Sequence, residues 1–189
     1  MAQETNLKKI RTLAEQAKTA LRSAAKENNR PVCIYLHWSA GHYGQFFDDY
    51  HIMVDYDGKI YAMTDDLAEV KSHTWRRNSG AIGVSLACAY NANTNNLGQE
   101  APTAAHLDSL AQTVAVLAMA LDLPITADTI MTHAEAAAKD GYGPGSGDPS
   151  TRWDLWFLRD GEAHGSGGDN LRQMISDYKN NGKLDWVFA

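Results

Sequence analysis

Leu7, Ile10, Ala14, Ala17, Leu21 and Ala24 recur at steps of three and four residues, with lysines, arginines and glutamates between them. That period puts the apolar residues on one stripe of a helix, predicted over residues 6–28 and ending before Pro31. The pattern then changes to short apolar runs of strand length: VCIYLH from Val32, YHIMVD from Tyr50, KIYAM from Lys59 and AIGVSLA from Ala81. Between the second and third, DYDG at residues 55–58 is a hairpin signal, because Gly58 can take a positive φ. The most strongly periodic stretch is PTAAHLDSLAQTVAVLAMALDLP, with Leu107, Leu110, Val114, Leu117 and Leu121 on one side of a helix that Pro124 closes. TIMTH follows, an apolar piece ending at His133, and AAKDGYGPGSGDPSTRWDLW after it reads as an irregular loop up to its Trp-rich end. A last helix, NLRQMISDYKNN, is expected with Asp169 as its cap and Gly182 as its terminator. Helix, strands, long helix, loop and helix in this order predict an α/β fold, one domain with a central mixed sheet flanked by helices and extra helices at both ends.

Composition narrows this only at the edges. A chain of 189 residues with 44% hydrophobic content can bury one substantial core but not two ordinary ones. The net charge of −6 argues against a nucleic-acid partner, which would need a concentrated positive surface. The first 30 residues nevertheless carry +4 and leave −10 for the rest. A basic first helix could touch an anionic wall or membrane surface, although a solvated helix face is the simpler reading. No apolar run reaches the roughly 20 residues that cross a bilayer, so stable membrane insertion is not expected. The opening MAQETNLKKIRTL lacks a signal-peptide run, which suggests a protein made in the cytoplasm that reaches any outside target by later release. Cys33 and Cys88 lie far apart in apolar runs without metal-site spacing and read as buried thiols.

His37 and His133 each end a short apolar segment, 96 residues apart in sequence. A lone histidine at a strand end is more often a hydrogen-bonded structural residue than a ligand. Two of them with an acidic residue from the glycine-rich loop, Asp148, would make a His₂Asp set of the kind that holds catalytic Zn²⁺ and leaves a fourth position open. GYGPGSG at 141–147 could suggest a phosphate cradle, but no helix start directly follows it.

The segments IYLHWSAG, DYHIMVDYDGKIY, NSGAIGVSL, IMTHAEAA and GDPSTRWDLW resemble, in order, the successive blocks of the zinc-dependent N-acetylmuramoyl-L-alanine amidases, the family shared by phage endolysins, bacterial cell-wall amidases and peptidoglycan recognition proteins. The resemblance covers about residues 31–158 and implies three parts: an N-terminal amphipathic helix over 1–30 packed on the domain, the zinc amidase core over 31–158, and a loop and C-terminal helix over 159–189. It implies that His37, His133 and Asp148 ligate the zinc, with Asp140 as the competing third ligand. Ser85 stands where some members carry a basic Glu, while Tyr50 and Lys139 match the Tyr and Lys of the endolysin branch. Those two would assist the attacking water and stabilise the oxyanion. His73 and Asn78 resemble a stretch that lines the substrate groove, a surface loop being the alternative; Glu135 is a weaker candidate for the missing base. His51 is expected to point away from Tyr50 as a structural residue, and His42, His106 and His164 to lie on the surface. Trp38, Trp75 and Trp153 could serve as sugar or peptide platforms, with core packing the safer reading for each.

The implied reaction is hydrolysis of the amide between the lactyl group of N-acetylmuramic acid and L-alanine in peptidoglycan, as in a phage or prophage endolysin. The alternatives are a cytoplasmic amidase that recycles muropeptides, or a non-catalytic peptidoglycan-binding module.

Overall fold

A computed structural model describes residues 2–147 and 152–189. The first helix, α1, spans Leu7–Glu27, its start fixed by the Asn6 side chain accepting from the Lys9 amide. The anticipated stripe is buried: Leu7, Ile10, Leu13, Ala14, Ala17, Leu21 and Ala25. Before it lies a strand the pattern did not predict, β1 at Gln3–Thr5, too short and polar to stand out. It is held by pairing, antiparallel to β4 (Ile60–Ala62), so the N-terminal segment supplies one edge of the sheet as well as a helix.

The sheet has six strands in the order β1-β4-β3-β5-β2-β6, where β2 is Cys33–Trp38, β3 Ile52–Val54, β5 Ala81–Leu86 and β6 Ile130–Thr132. Strand β2 runs parallel to both its neighbours, with His37 opposite Ser85 on β5 and Leu36 opposite Thr132 on β6. Every residue of β2 and β5 is buried, as strands covered on both faces must be. The alternation divides them. Ile34, Leu36, Ile82, Val84 and Leu86 join the main core under α1 and α2 (Ala104–Leu121), while Cys33, Tyr35, Ala81 and Met131 form a smaller cluster on the opposite face. His37 has the parity of Cys33 and Tyr35, so the period of two aims it away from the main core. Helix α2 is apolar and long enough to cross a membrane by length and composition, yet most of it is buried against α1 and α4 (Gly167–Asn180). It is the core helix of this domain.

Three elements depart from expectation. Residues His133–Lys139 form α3, where a loop was expected from Ala137 on. The cause is a capping box: Thr132 Oγ1 accepts from the Glu135 amide, and the Glu135 carboxylate accepts from the Thr132 amide. Helix α4 begins at Gly167 with Ser166, not Asp169, at its cap, and Asp169 pairs instead with Arg172. A short α5, Asp185–Phe188, packs its end on α1, where Arg11 donates to the Val187 carbonyl. His106 is fully buried rather than on the surface; it sits in the capping box of α2, its Nδ1 accepting from the Thr103 amide. His73, too, is buried.

His51 pins the sheet beside the future site. Its backbone N–H donates to the Gly83 carbonyl, its Nδ1 accepts from the Gly83 N–H at 2.9 Å, and its Nε2 donates to the Glu69 carbonyl at 2.8 Å. Only the neutral ring with its proton on Nε2 satisfies both bonds. Burial pushes this imidazole down to about 4, with the Glu69 carbonyl opposing the shift. An unfolded histidine titrates near 6.5, so as pH falls the unfolded chain takes up its proton first. Stability from His51 is therefore complete above about pH 6.5 and lost between there and about pH 4, a change of about 3 kcal/mol by linkage. Replacing His51 by Phe orphans the buried Gly83 N–H, at about 1–3 kcal/mol, and removes the partner of the part-buried Glu69 carbonyl. Urea unfolding of the metal-free protein should show that loss at pH 7, together with a shallower decline of stability below pH 6.5 than the unsubstituted protein has.

Candidate active site

The C-terminal ends of β2 and β6 lie side by side, and each delivers a histidine. His37 is the fifth residue of β2; His133 directly follows β6 as the first residue of α3. Their Nδ1 atoms approach to 3.1 Å. A third donor comes from the turn at Trp153–Trp156, where Asp154 Oδ2 lies 3.4 Å from His37 Nδ1 and 3.3 Å from His133 Nδ1. That turn seats on the start of α4 because residue 167 is glycine: a Cβ there would fall 1.8 Å from the Leu155 carbonyl oxygen.

Three donor atoms this close can be satisfied by shared protons or by a metal ion. Zinc bonds of about 2.0–2.2 Å at tetrahedral angles put ligand atoms about 3.3–3.6 Å apart, close to the three separations found. The protonation states fit as well. Burial pushes the His37 imidazole down to about 4 despite its bond to Asp154, so it is neutral at pH 7, as a metal ligand must be. Burial also works to raise the Asp154 carboxyl, but the His133 and His37 imidazoles beside it outweigh that and hold the group well below the usual carboxylate range. Among the described residues these three form the one cluster of His, Cys, Asp and Glu suited to a metal ion.

Around the cluster opens a groove of about 890 Å³. Tyr50 lines it, its ring 5.2 Å from that of His37. Burial, with Asp154 adding to it and a hydrogen bond to Ser85 opposing, pushes the Tyr50 hydroxyl far up, so it keeps its proton and acts as a donor. The strand proper begins only at Ile52, so alternation does not separate Tyr50 from His51: the His51 ring is 5.5 Å from that of His73, which in turn is 5.3 Å from His37. His73 and Asn78 also line the groove, but both are engaged by Thr74: Asn78 Oδ1 accepts from the Thr74 amide at 2.7 Å, and His73 Nδ1 lies 3.0 Å from Thr74 Oγ1.

The structure does not gather all the expected residues. Lys139 lies at the end of α3 with its ammonium on the Ala127 carbonyl and the Asp128 carboxylate, and it does not line the groove. Asp140 is taken by Arg77 in a two-pronged pair of 2.7 and 2.6 Å. Glu135 serves the capping box and pairs with Arg172, so its carboxylate is committed away from the groove. Asp148 lies outside the described residues. Trp38 and Trp153 pack edge to face, Trp38 buried, as core packing requires. Trp75 is instead 55% exposed, with the Arg76 guanidinium 4.4 Å above its ring, and both line the groove with Arg152. The sequence reading missed Asp154, Thr74, Arg76 and Arg152; WDLW carried the signal for Asp154, an acidic residue between tryptophans in an otherwise apolar turn.

A search of the curated proteins finds no match. Among solved structures the chain is similar to an endolysin N-acetylmuramoyl-L-alanine amidase, LysCS, from Clostridium intestinale, at 19% identity over 57% of this chain and 71% of that one, with a TM-score of 0.42. It is similar also to the Ph2119 endolysin of a Thermus scotoductus bacteriophage, at 17% identity over 57% and 73% with a TM-score of 0.44. A third likeness is to PGRP-Hd from Alvinella pompejana, at 19% identity over 54% and 77% with a TM-score of 0.35. The family model described as N-acetylmuramoyl-L-alanine amidase matches residues 11–149, which takes in His37, Tyr50, His133 and Asp148 and runs from within α1 through α3, covering every strand of the sheet but β1 and ending before Asp154. A match over that much of the chain, drawn through both converging histidines, makes this protein a member of the N-acetylmuramoyl-L-alanine amidase family.

Proposed function

We propose that the chain is a zinc-dependent N-acetylmuramoyl-L-alanine amidase that cleaves the bond between the lactyl group of N-acetylmuramic acid and L-alanine in peptidoglycan, in the setting of cell-wall lysis by a phage or prophage. The observation that carries this reading is the convergence of His37 Nδ1, His133 Nδ1 and Asp154 Oδ2 at the floor of an open groove. His37, His133 and a carboxylate of the 148–154 segment would hold the metal, with Asp154 Oδ2 the oxygen that stands at the third corner. Zinc held there supplies Lewis acidity and a water acidified toward neutral pH.

The chain's own groups do the rest. Tyr50, protonated across the physiological range, donates toward the carbonyl oxygen as charge develops on it. Asp154, ionised and nearly buried, keeps negative charge against the imidazoles and favours a cation between them. Trp75 offers an exposed flat face to a sugar or peptide, and Arg76 and Arg152 place positive charge along a groove suited to a substrate that bears carboxylates. Lys139 would have to leave Asp128 to take part, so the oxyanion role falls to Tyr50.

Mass spectrometry of a digest of purified sacculi identifies the bond cut: free L-alanine amino termini with intact glycan strands support the reading, and cleaved glycan with the lactyl–alanine bond kept removes it. Tyr50→Phe should lower kcat by about 10²–10³, the usual effect of deleting one oxyanion donor, with zinc content unchanged.

Binding and stability give an independent check of the metal. Zinc at 100 times its Kd should raise the free energy of unfolding by about 2.7 kcal/mol, and a chelator should remove the gain. His37→Ala and Asp154→Ala should abolish that gain. Asp148→Ala serves as the comparison: a full zinc response in that variant assigns the third corner to Asp154 alone, and a lost response brings Asp148 into the metal's shell.

A further inference from the structure

His37 has two ring nitrogens, and the site uses only one. Nδ1 faces His133 and Asp154, while Nε2, on a fully buried ring, faces the Thr74 hydroxyl at 3.5 Å. Thr74 Oγ1 lies in turn 3.0 Å from His73 Nδ1. For Nδ1 of His37 to present a lone pair to a metal, its proton must sit on Nε2, where Thr74 Oγ1 accepts it. The Thr74 O–H is then left to donate, and His73 Nδ1 is the acceptor within reach. His73 keeps its own proton on Nε2, an atom that is buried and has no hydrogen-bond partner among the described residues. With a metal on Nδ1, the relay therefore runs one way, from His37 Nε2 to Thr74 Oγ1 and from the Thr74 hydroxyl to His73 Nδ1.

Local structure holds this chain in place. Residue 83 is glycine, and a Cβ there would lie 2.6 Å from the His73 ring, so His73 can reach under β5 only because that position is bare. Thr74 is itself buried, and its backbone amide is tied to Asn78 Oδ1 at 2.7 Å. A surface threonine would spin among rotamers; this one is locked at its backbone and at its hydroxyl.

We propose that Thr74, oriented by His73, is a positioning residue that fixes the His37 tautomer and so prepares Nδ1 for the metal. The inference rests on the metal reading above and adds to it a named source of ligand orientation. Partners of this kind typically carry about 10- to 100-fold in metal affinity.

The test begins with the unsubstituted, metal-free protein. Long-range ¹⁵N–¹H spectra of labelled histidine, assigned with His37→Gln, should show His37 protonated at Nε2; protonation at Nδ1 overturns the proposal whether or not zinc binds later. Zinc affinity is then measured by competition with a chromogenic chelator on Thr74→Val and Thr74→Ser, with folding checked by circular dichroism. Thr74→Val, which keeps the shape and loses the hydroxyl, should weaken zinc binding by about 10- to 100-fold and populate the Nδ1–H tautomer. Thr74→Ser, which restores the hydroxyl, should restore both. Unchanged affinity in Thr74→Val, or equal losses in the two variants, overturns the role of the hydroxyl. Failure of the unsubstituted protein to bind zinc would instead bring down the metal reading itself, which the tautomer spectrum distinguishes.

Discussion

Everything at the site depends on β2 pairing in parallel with β5 on one side and β6 on the other. Parallel pairing points the carboxyl ends of the strands the same way, and ligand sites in α/β sheets form beyond those ends. Because Leu36 stands opposite Thr132, the next residues in each chain, His37 and His133, emerge together. A slip of one residue in β2 would carry His37 to the opposite face, into the aliphatic core under α2. The register is therefore a functional constraint, and the apolar residues of alternate parity, Ile34 and Leu36 against Ile82 and Val84, are what specify it.

Placing four histidines and an aspartate close together beneath a groove is unfavourable for folding, since each buried polar atom needs a partner. The sheet meets that cost by division of labour. The face toward α1 and α2 is almost wholly aliphatic, whereas the opposite face carries small residues, Ala81, Gly83 and Ser85, exactly one strand over from Cys33, Tyr35 and His37. Those small residues leave space for side chains to lie across β5: His73 over Gly83, and Tyr50 beside Ser85. Here the short hydroxyl of Ser85 serves a tyrosine that keeps its proton. The site on this chain thus combines a hydrogen-bond donor with a donor set that could hold a metal, and its strand carries no carboxylate beside them.

Much of this was legible in the sequence, and the parts that were not share a physical reason. The periodic segments declared themselves: α1 from its stripe, α2 from its leucines, β2 and β5 from their apolar runs. His37 and His133 were found because each ends such a run. What escaped was set by partners distant in sequence. Strand β1 exists because β4 offers an unpaired edge, and α4 starts at Gly167, with Ser166 as its cap, where only a glycine fits against the Leu155 carbonyl. The Thr132–Glu135 capping box was present in THAE, yet the glycines that follow masked it and the segment from Ala137 on read as loop. Lys139 illustrates the limit of spacing: its distance from His133 in sequence matches the endolysin branch, but the helix it ends turns its ammonium toward Asp128.

Helix α3 deserves its place in the mechanism for the same reason that it was hard to read. A seven-residue helix has little stability of its own, so its geometry comes from its ends. At its start the capping box fixes the Thr132 and Glu135 backbones on either side of His133. Glu135 is then gripped by Arg172 from α4, and Arg172 also donates to the Ile130 carbonyl on the outer edge of β6. At its far end Asp140 is clamped by Arg77, which belongs to the same loop as His73 and Thr74. The two partly buried ion pairs thus tie the histidine of one strand end to the loop that orients the histidine of the other. A change at Arg77 or Arg172, neither of which touches the donor cluster, would be felt there as a shift in the separation of two imidazoles, the distance on which a metal ion depends most.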